Sequence, residues 1–319
     1  MREAAADAAR LAEARIAYHE RLCARMPLLS PRVAAAFLAV PRHPFMPWRE
    51  ALESGEPPLA EAEMLDALDV RPGLRILEVG TGSGYGTALL CRLAGPGGVT
   101  GTDAETVEPA RERLGCVGYR PVLDVAEPAE GCPRRAPFDR IVSNLAVPRV
   151  PAAWLAQSAP GALLVVPVAG ALARLEVAGD GTAAGRLLHE PLPLRPHVAT
   201  PSPCDWPGIE RRTELPAQVL DDRAFAFFAR LHLPDTAAHE ADGHTGHTLT
   251  ATDGSQASVV GHTVTVTGQR DLWSAVERAH TLWMALRRPR REWFEIRVTA
   301  QRQWISYRAP DGAEWQWTL

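Results

Sequence analysis

Lysine is missing from this chain: all 34 basic residues are Arg, set against 38 acidic ones for a formal net charge of -4. That balance leaves no electrostatic footprint for nucleic acid, whose phosphates demand a basic excess. The Ala-, Arg-, Gly- and Pro-heavy composition that goes with it reflects a GC-rich genome more than chemistry. Cysteine is scarce and scattered: Cys23, Cys91, Cys116, Cys132 and Cys204 show no CxxC spacing. Neither a disulfide framework nor a zinc site follows from that pattern. Long apolar runs are absent as well. No stretch approaches the length of about 18 uninterrupted apolar residues that would span a membrane. The opening MREAAADAARLAEARIAYHERL interleaves charges where a signal peptide has its apolar core. The expectation is a cytoplasmic protein with reduced thiols, engaging neither membrane nor nucleic acid.

What is present is core material: 46% of 319 residues are apolar, enough for two domains or one domain with a large extension. Residues 2 to 27 place Ala, Leu and Ile at helical spacing, and Ser30-Pro31 supplies an N-cap and first-turn proline for a second helix that Pro41 stops. From 59 to 170, helical patterns alternate with short buried strands, LRILEVG, GVTGTD, RPVLD, FDRIVSN and ALLVVPV, which predicts parallel strands joined by helical crossovers. A hairpin turning at Gly179-Asp180-Gly181 follows. The organisation read from this is an N-terminal helical segment (1–50), an α/β domain (51–195), a Pro-rich linker (196–217) and a C-terminal α+β domain (218–319). That last part holds a predicted helix in RDLWSAVERAHTLWMALRR and most of the tryptophans, expected to build its core. His239, His244, His247 and His262 fall in loop-like sequence with no cysteine, and no metal site is assigned to them.

The stretch ILEVGTGSGYG (76–86) decides the chemistry. Gly80, Gly82 and Gly84 sit where the first strand turns into a helix, the place where ligands meet an open α/β sheet. Their GxGxG spacing is not the dinucleotide fingerprint GxGxxG, and no Lys-Ser/Thr follows as a phosphate loop requires. A loop passing under a nucleoside with an amino-acid tail, S-adenosylmethionine, fits better. Glu78 can engage the ammonium end indirectly, Asp103 after the next strand can accept the ribose hydroxyls, and Asp124 after the third can reach the adenine amino group.

With these residues in place the sequence resembles the protein-L-isoaspartate O-methyltransferases. The likeness rests on AVPRHPFMP (39–47), PGLRILEVGTGSGYGTALL (72–90), the acid of GTDAE and APFDRIVSNLAVPRVPAAWLAQSAPGALLVVPV (136–168), and spans about residues 30 to 195. It implies a Rossmann-like, doubly wound methyltransferase fold and transfer of a methyl group from S-adenosylmethionine to a side-chain carboxylate of a peptide. The cofactor set it implies is Glu78, Gly80, Thr81, Gly82, Ser83, Gly84, Asp103, Asp124, Asn144 and Leu145. The family's Thr-Ile-Ser-Gln-Pro acceptor motif is replaced here by Ser54-Gly55-Glu56-Pro57-Pro58. Ser54 and Glu56 are the acceptor-positioning candidates, and Glu56 would repel a carboxylate unless protonated or paired with an arginine such as Arg42 or Arg49. His43, between prolines and Phe45, reads as structural. The C-terminal part resembles the extra domain of homologues that methylate ribosomally made precursor peptides (lanthipeptide, lasso peptide, graspetide), where the ester can collapse to an aspartimide. General isoaspartyl repair and a silent, cofactor-binding escort of a peptide are the other readings. A carboxylate is already nucleophilic at neutral pH, so the lack of an evident base suits it. Asn144-Leu145-Ala146-Val147 also lacks the Asn-Pro-Pro-aromatic signature of nucleic-acid amino methylation.

Overall fold

The computed structural model describes residues 2–47, 51, 59–95, 97–188, 207–240 and 246–319. Helices α1 (Arg2–Arg25), α2 (Pro31–Ala39) and α3 (Leu59–Ala67) come first. Extended backbone at Ser30 and Pro31 in the first turn start α2, as expected. The alternating segment then gives β1 (Ile76–Val79), α4 (Tyr85–Ala94), β2 (Val99–Asp103), α5 (Val107–Cys116), β3 (Val122–Val125), β4 (Phe138–Ser143), α6 (Ala152–Ala156), β5 (Ser158–Val168), β6 (Ala171–Val177) and β7 (Ala183–Leu187). Strands β3, β2, β1, β4 and β5 are adjacent in that order and parallel, and β6 and β7 continue antiparallel. The strand order reverses between β1 and β4, which opens a crevice at their C-terminal ends.

The C-terminal region does not stand apart. Strands β13 (Glu295–Val298), β14 (Gln303–Arg308) and β15 (Glu314–Thr318) extend the same sheet through β7, making it ten-stranded. A second, five-stranded antiparallel sheet runs β8 (Ile209–Arg212), β12 (Thr263–Thr267), β11 (Gln256–Val260), β10 (Gly246–Ala251), β9 (Thr236–Glu240). Helices α7 (Arg223–His232) and α8 (Leu272–Ala285) pack on each other, and α8 also lies on this second sheet. One apolar cluster runs from Leu164 and Val166 of β5 through Phe228 of α7 and Trp273 of α8 to Val259 of β11. A second cluster, holding Leu22, Phe37, Leu65 and Leu89, binds helices α1 to α5 to the opposite face. The sheet thus carries a core on each face, and residues 218–319 share one of them with the strands of the 51–195 segment.

Three expectations change in detail. Residues 209–212, inside the expected linker, are strand β8, and residues 196–206 lie outside the described residues. Of the histidine-bearing stretch expected to be a loop, His239 lies on β9, opposite Thr248, and His247 on β10, while His244 lies outside the described residues. Alternating Thr, Ala and His carry too little apolar signal to reveal a strand before its partner is known. Among the tryptophans, Trp273 and Trp283 are buried while Trp293 is 51% exposed, so the core accounts for only part of the set. Among the described residues no helix is long and apolar enough to cross a membrane, and no three His, Cys, Asp or Glu side chains gather as a metal set.

Candidate active site

The glycine loop leaves β1 with left-handed backbone at Gly80 (φ 85°), Gly82 (φ 54°) and Gly84 (φ 91°). Side chains resist that region, and at Gly80 a Cβ would also lie 2.8 Å from Leu145 Cγ. The loop is tied to β2: Gly80 and Thr81 N–H groups donate to the Thr102 carbonyl at 2.8 and 3.2 Å. Thr81 is buried, its Oγ1 donating to the same carbonyl at 3.4 Å, and Ser83 Oγ accepts from Tyr85 N–H at 3.4 Å. Neither of these two hydroxyls is therefore idle.

Asp103 closes β2 and locks the loop. Its Oδ2 accepts from Gly82 N–H, and its Oδ1 from the N–H groups of Glu105 and Thr106, each at 3.0 Å. Burial pushes its pKa up, but the three backbone donors outweigh burial and hold the carboxyl below its ordinary range. An ionised acceptor is fixed beside bare backbone, which is what a ribose diol requires. Asp124 on β3 accepts from Cys132 Sγ at 3.3 Å and has Arg134 Nη2 at 3.7 Å, so its carboxylate is shared with the protein.

The floor is polar. Glu78 is fully buried; Thr87 Oγ1 donates to its Oε2, and Asn144 Nδ2 donates to its Oε1 at 3.0 Å and to the Gly80 carbonyl at 2.9 Å. Burial raises the Glu78 pKa to about 8, with those two bonds opposing it. Asn144 and Leu145 are exposed at the end of β4, and buried Ser143 fixes the turn by accepting from Leu145 N–H at 3.2 Å and donating to the Leu145 carbonyl at 2.8 Å. The structure therefore brings nine of the ten cofactor candidates to the mouth of the β1–β4 crevice, with Asp124 one strand further out. Ser54 and Glu56 lie outside the described residues.

Sequence reading missed Glu61 and Gly86. A Cβ on Gly86 would lie 2.8 Å from Glu78 Oε1 and 3.0 Å from Glu61 Oε1, so this glycine exists to admit two carboxyls. Burial raises the Glu61 pKa to about 7, against the pull of Arg42. Around Glu61 stand Tyr18, Tyr85 and Arg42, the last with its guanidinium carbon 3.9 Å from the Tyr18 ring centroid. Tyr85, the first residue of α4, packs against Phe45 with ring centroids 5.7 Å apart. Among the described residues, Arg15 Nε, Arg21 Nε, Arg42 Nε, Tyr18 Oη and Tyr85 Oη are all buried without a hydrogen-bond partner. A cavity of about 390 Å³ between α1 and residues 41–43 and Ala51 is lined by Arg15, Tyr18, Arg42 and His43. His43, expected to be structural, lines it with a pKa lowered by burial and then by Arg15.

A glycine loop at the strand-order reversal, an ionised acid at the end of the neighbouring strand and an Asn-bearing wall together define a Rossmann-like S-adenosylmethionine-dependent methyltransferase. The family model described as Protein-L-isoaspartate(D-aspartate) O-methyltransferase (PCMT) matches residues 19–184, and the chain belongs to that family. It is an S-adenosylmethionine-dependent carboxyl O-methyltransferase. Among curated proteins it is similar to the protein-L-isoaspartate O-methyltransferase of Aeropyrum pernix, 37% identical over 180 residues covering 51% of this chain and 69% of that protein. The namesake from Methanopyrus kandleri is 38% identical over 171 residues, 47% of this chain and 76% of its own length. A solved protein-L-isoaspartate O-methyltransferase aligns with a TM-score of 0.53 at 18% identity, covering 90% of this chain and 97% of its own. That likeness shows a shared fold that takes in most of the C-terminal region.

Proposed function

We propose that the enzyme esterifies the side-chain carboxylate of an aspartyl-type residue in a peptide, and that the peptide is a ribosomally made precursor met in part by residues 218–319. The observation that carries the carboxylate acceptor is the group of buried, unsatisfied donors on Arg15, Arg21, Arg42, Tyr18 and Tyr85. Buried donors without acceptors are costly, and an incoming anion would satisfy them. Gly80 to Gly84, Asp103, Asn144 and Leu145 would hold S-adenosylmethionine, with Glu78 bracing the wall from behind. The bound cofactor supplies a methyl group on a sulfonium, which an ionised carboxylate accepts without prior loss of a proton. The chain's task is therefore to strip water from the carboxylate and aim it, for which Arg42 stacked on Tyr18 is suited. Support for a dedicated peptide comes from the resemblance of the C-terminal part to precursor-modifying homologues and from its merger with the catalytic sheet.

General isoaspartyl repair is the second reading. It is favoured by the names of the similar proteins and by the solved relative that covers 90% of this chain. Mass spectrometry separates the two. The enzyme, given S-adenosylmethionine, is offered a flexible isoaspartyl peptide and a precursor peptide encoded beside its gene. Methyl addition to the precursor alone, or its dehydration to aspartimide, is the expected result. Methylation of the isoaspartyl peptide at equal efficiency would establish repair, and turnover of neither would leave a silent escort. With whichever substrate is turned over, Arg42→Gln is expected to lower kcat/KM by roughly 10- to 100-fold, through a lost charge-assisted bond, while cofactor affinity stays put.

A further inference from the structure

A second polar cavity, of about 290 Å³, lies against α7 and is unused by the chemistry above. Its polar lining is Arg223, Arg230, Arg291, Thr236, His239 and His247, with no acid among the described lining residues. Arg291 is held in place: its guanidinium carbon lies 5.4 Å from the Phe227 ring centroid, and its Nη2 donates to the Arg223 carbonyl at 3.4 Å. The nearby Asp221 is engaged by His247 Nε2 at 2.9 Å.

Arg230 is the unusual member. It is partly buried, and burial alone lowers its pKa, with no opposing charge contributing. Among the described residues its guanidinium has neither a hydrogen-bond acceptor nor a carboxylate. It lies on the β5–β6 turn, where a Cβ on Gly170 would fall 2.8 Å from Nη1 and 3.0 Å from Nε. The left-handed Gly170 (φ 74°) thus makes room for this one side chain. A guanidinium partly withdrawn from water, with no counter-ion among the described residues, has N–H donors open to an incoming anion.

The position says where that anion comes from. Gly170 follows the C-terminal end of β5, the same sheet edge that bears Gly80 and Asn144, because β1, β4 and β5 are parallel. Arg230 also lines an adjoining cavity with Val147 and Arg149, in the segment that follows Leu145. One arginine therefore faces both the C-terminal region and the loop that flanks the cofactor crevice.

We propose that Arg230, flanked by Arg223 and Arg291, is an anchoring site for a carboxylate of an acidic residue in the peptide substrate, separate from the carboxylate that is methylated. The planar guanidinium fork matches a carboxylate in two parallel hydrogen bonds, which would fix the peptide's register along the sheet edge. The assignment rests on the substrate being a peptide, but binding is read without methyl transfer, so the two ideas fail separately.

The test is fluorescence anisotropy of fluorescein-labelled hexaglutamate and hexaglutamine on the full chain at low salt. Hexaglutamate is expected to bind and hexaglutamine not; Arg230→Met should weaken binding by about tenfold or more and Arg230→Lys by less, as one loss of a bidentate contact dictates. Without ligand, Arg230→Met should melt close to the parent, since the charge removed is only partly buried and has no partner among the described residues to lose. Arg223→Gln, at an exposed position, gives a second variant and a smaller loss. Equal hexaglutamate affinity in the parent, Arg230→Met and Arg223→Gln would overturn the site, as would hexaglutamine binding equally well. Displacement of hexaglutamate by inorganic phosphate at concentrations where glutarate has no effect would assign the pocket to phosphate and overturn the peptide anchor.

Discussion

Asp103→Ala is expected to weaken S-adenosylmethionine binding by about 3 kcal/mol, on the order of 100-fold, because bonds to an ionised acceptor are the strong ones. Two losses combine. The ribose hydroxyls lose their acceptor, and the N–H groups of Gly82, Glu105 and Thr106 lose the carboxylate that fixes the loop. Asp103→Asn should fall between, at about tenfold, since one oxygen remains while the amide nitrogen turns a donor toward a donor. Titration calorimetry on the two variants, with thermal melts to confirm folding, reads this directly. Unchanged affinity in Asp103→Ala would move the cofactor out of the β1–β4 crevice and sink the assignment of Gly80 to Gly84 with it.

The position of Asp103 beside the glycine loop was legible in the sequence because it follows from chain order alone. A strand-glycine-helix turn fixes one end of a nucleoside, and the next strand of a parallel sheet must end beside it. The buried strands were legible for a related reason: with both faces covered, ALLVVPV becomes an unbroken apolar run and ILEV an apolar one interrupted only by Glu78. Glu61 was not. LAEAEMLDA carries three acids, and only the packing of α3 against α4 determines which one turns inward toward Gly86. Helix α7 carried local signals as well, an Asp222 cap that accepts from the N–H groups of Ala224 and Phe225 and a strongly amphipathic RAFAFFARLH face, which the reading of the sequence passed over. Arg230 looks like any surface arginine until Gly170 and the second sheet are set around it. Residues that act through tertiary burial leave no local pattern, whereas those tied to a turn or a strand end do.

The buried acids carry the other large effect. The stability of the ligand-free enzyme is expected to fall as pH rises from 6.5 to 8.5. Glu78 and Glu61 have folded-state pKa values of about 8 and about 7, above the ordinary carboxyl range that the unfolded chain shows. In this window the native state holds protons that the unfolded state has already released, so raising the pH favours unfolding until both folded values are passed. Other titrations lie mostly outside it. Asp103, Asp235 and Asp271 are held below their usual range and lose their contribution only in acid. Burial depresses His43, His232 and His280, which act below pH 6.5, with the opposite sign. Cys91, raised to about 12, acts only above pH 9. Glu78→Gln keeps an acceptor for Asn144 and a partner for Thr87 without a charge to bury. At pH 8.5 it should be more stable than the parent by on the order of 3 kcal/mol, with the gain shrinking toward pH 5.5. Urea unfolding across the pH series measures both slopes. A parent protein whose stability is flat or rising from 6.5 to 8.5, or a Glu78→Gln variant that keeps the parental slope, would mean that these carboxyls are ionised in the native state. Gly86 would then be admitting a charge pair rather than a protonated, hydrogen-bonded brace behind the cofactor wall.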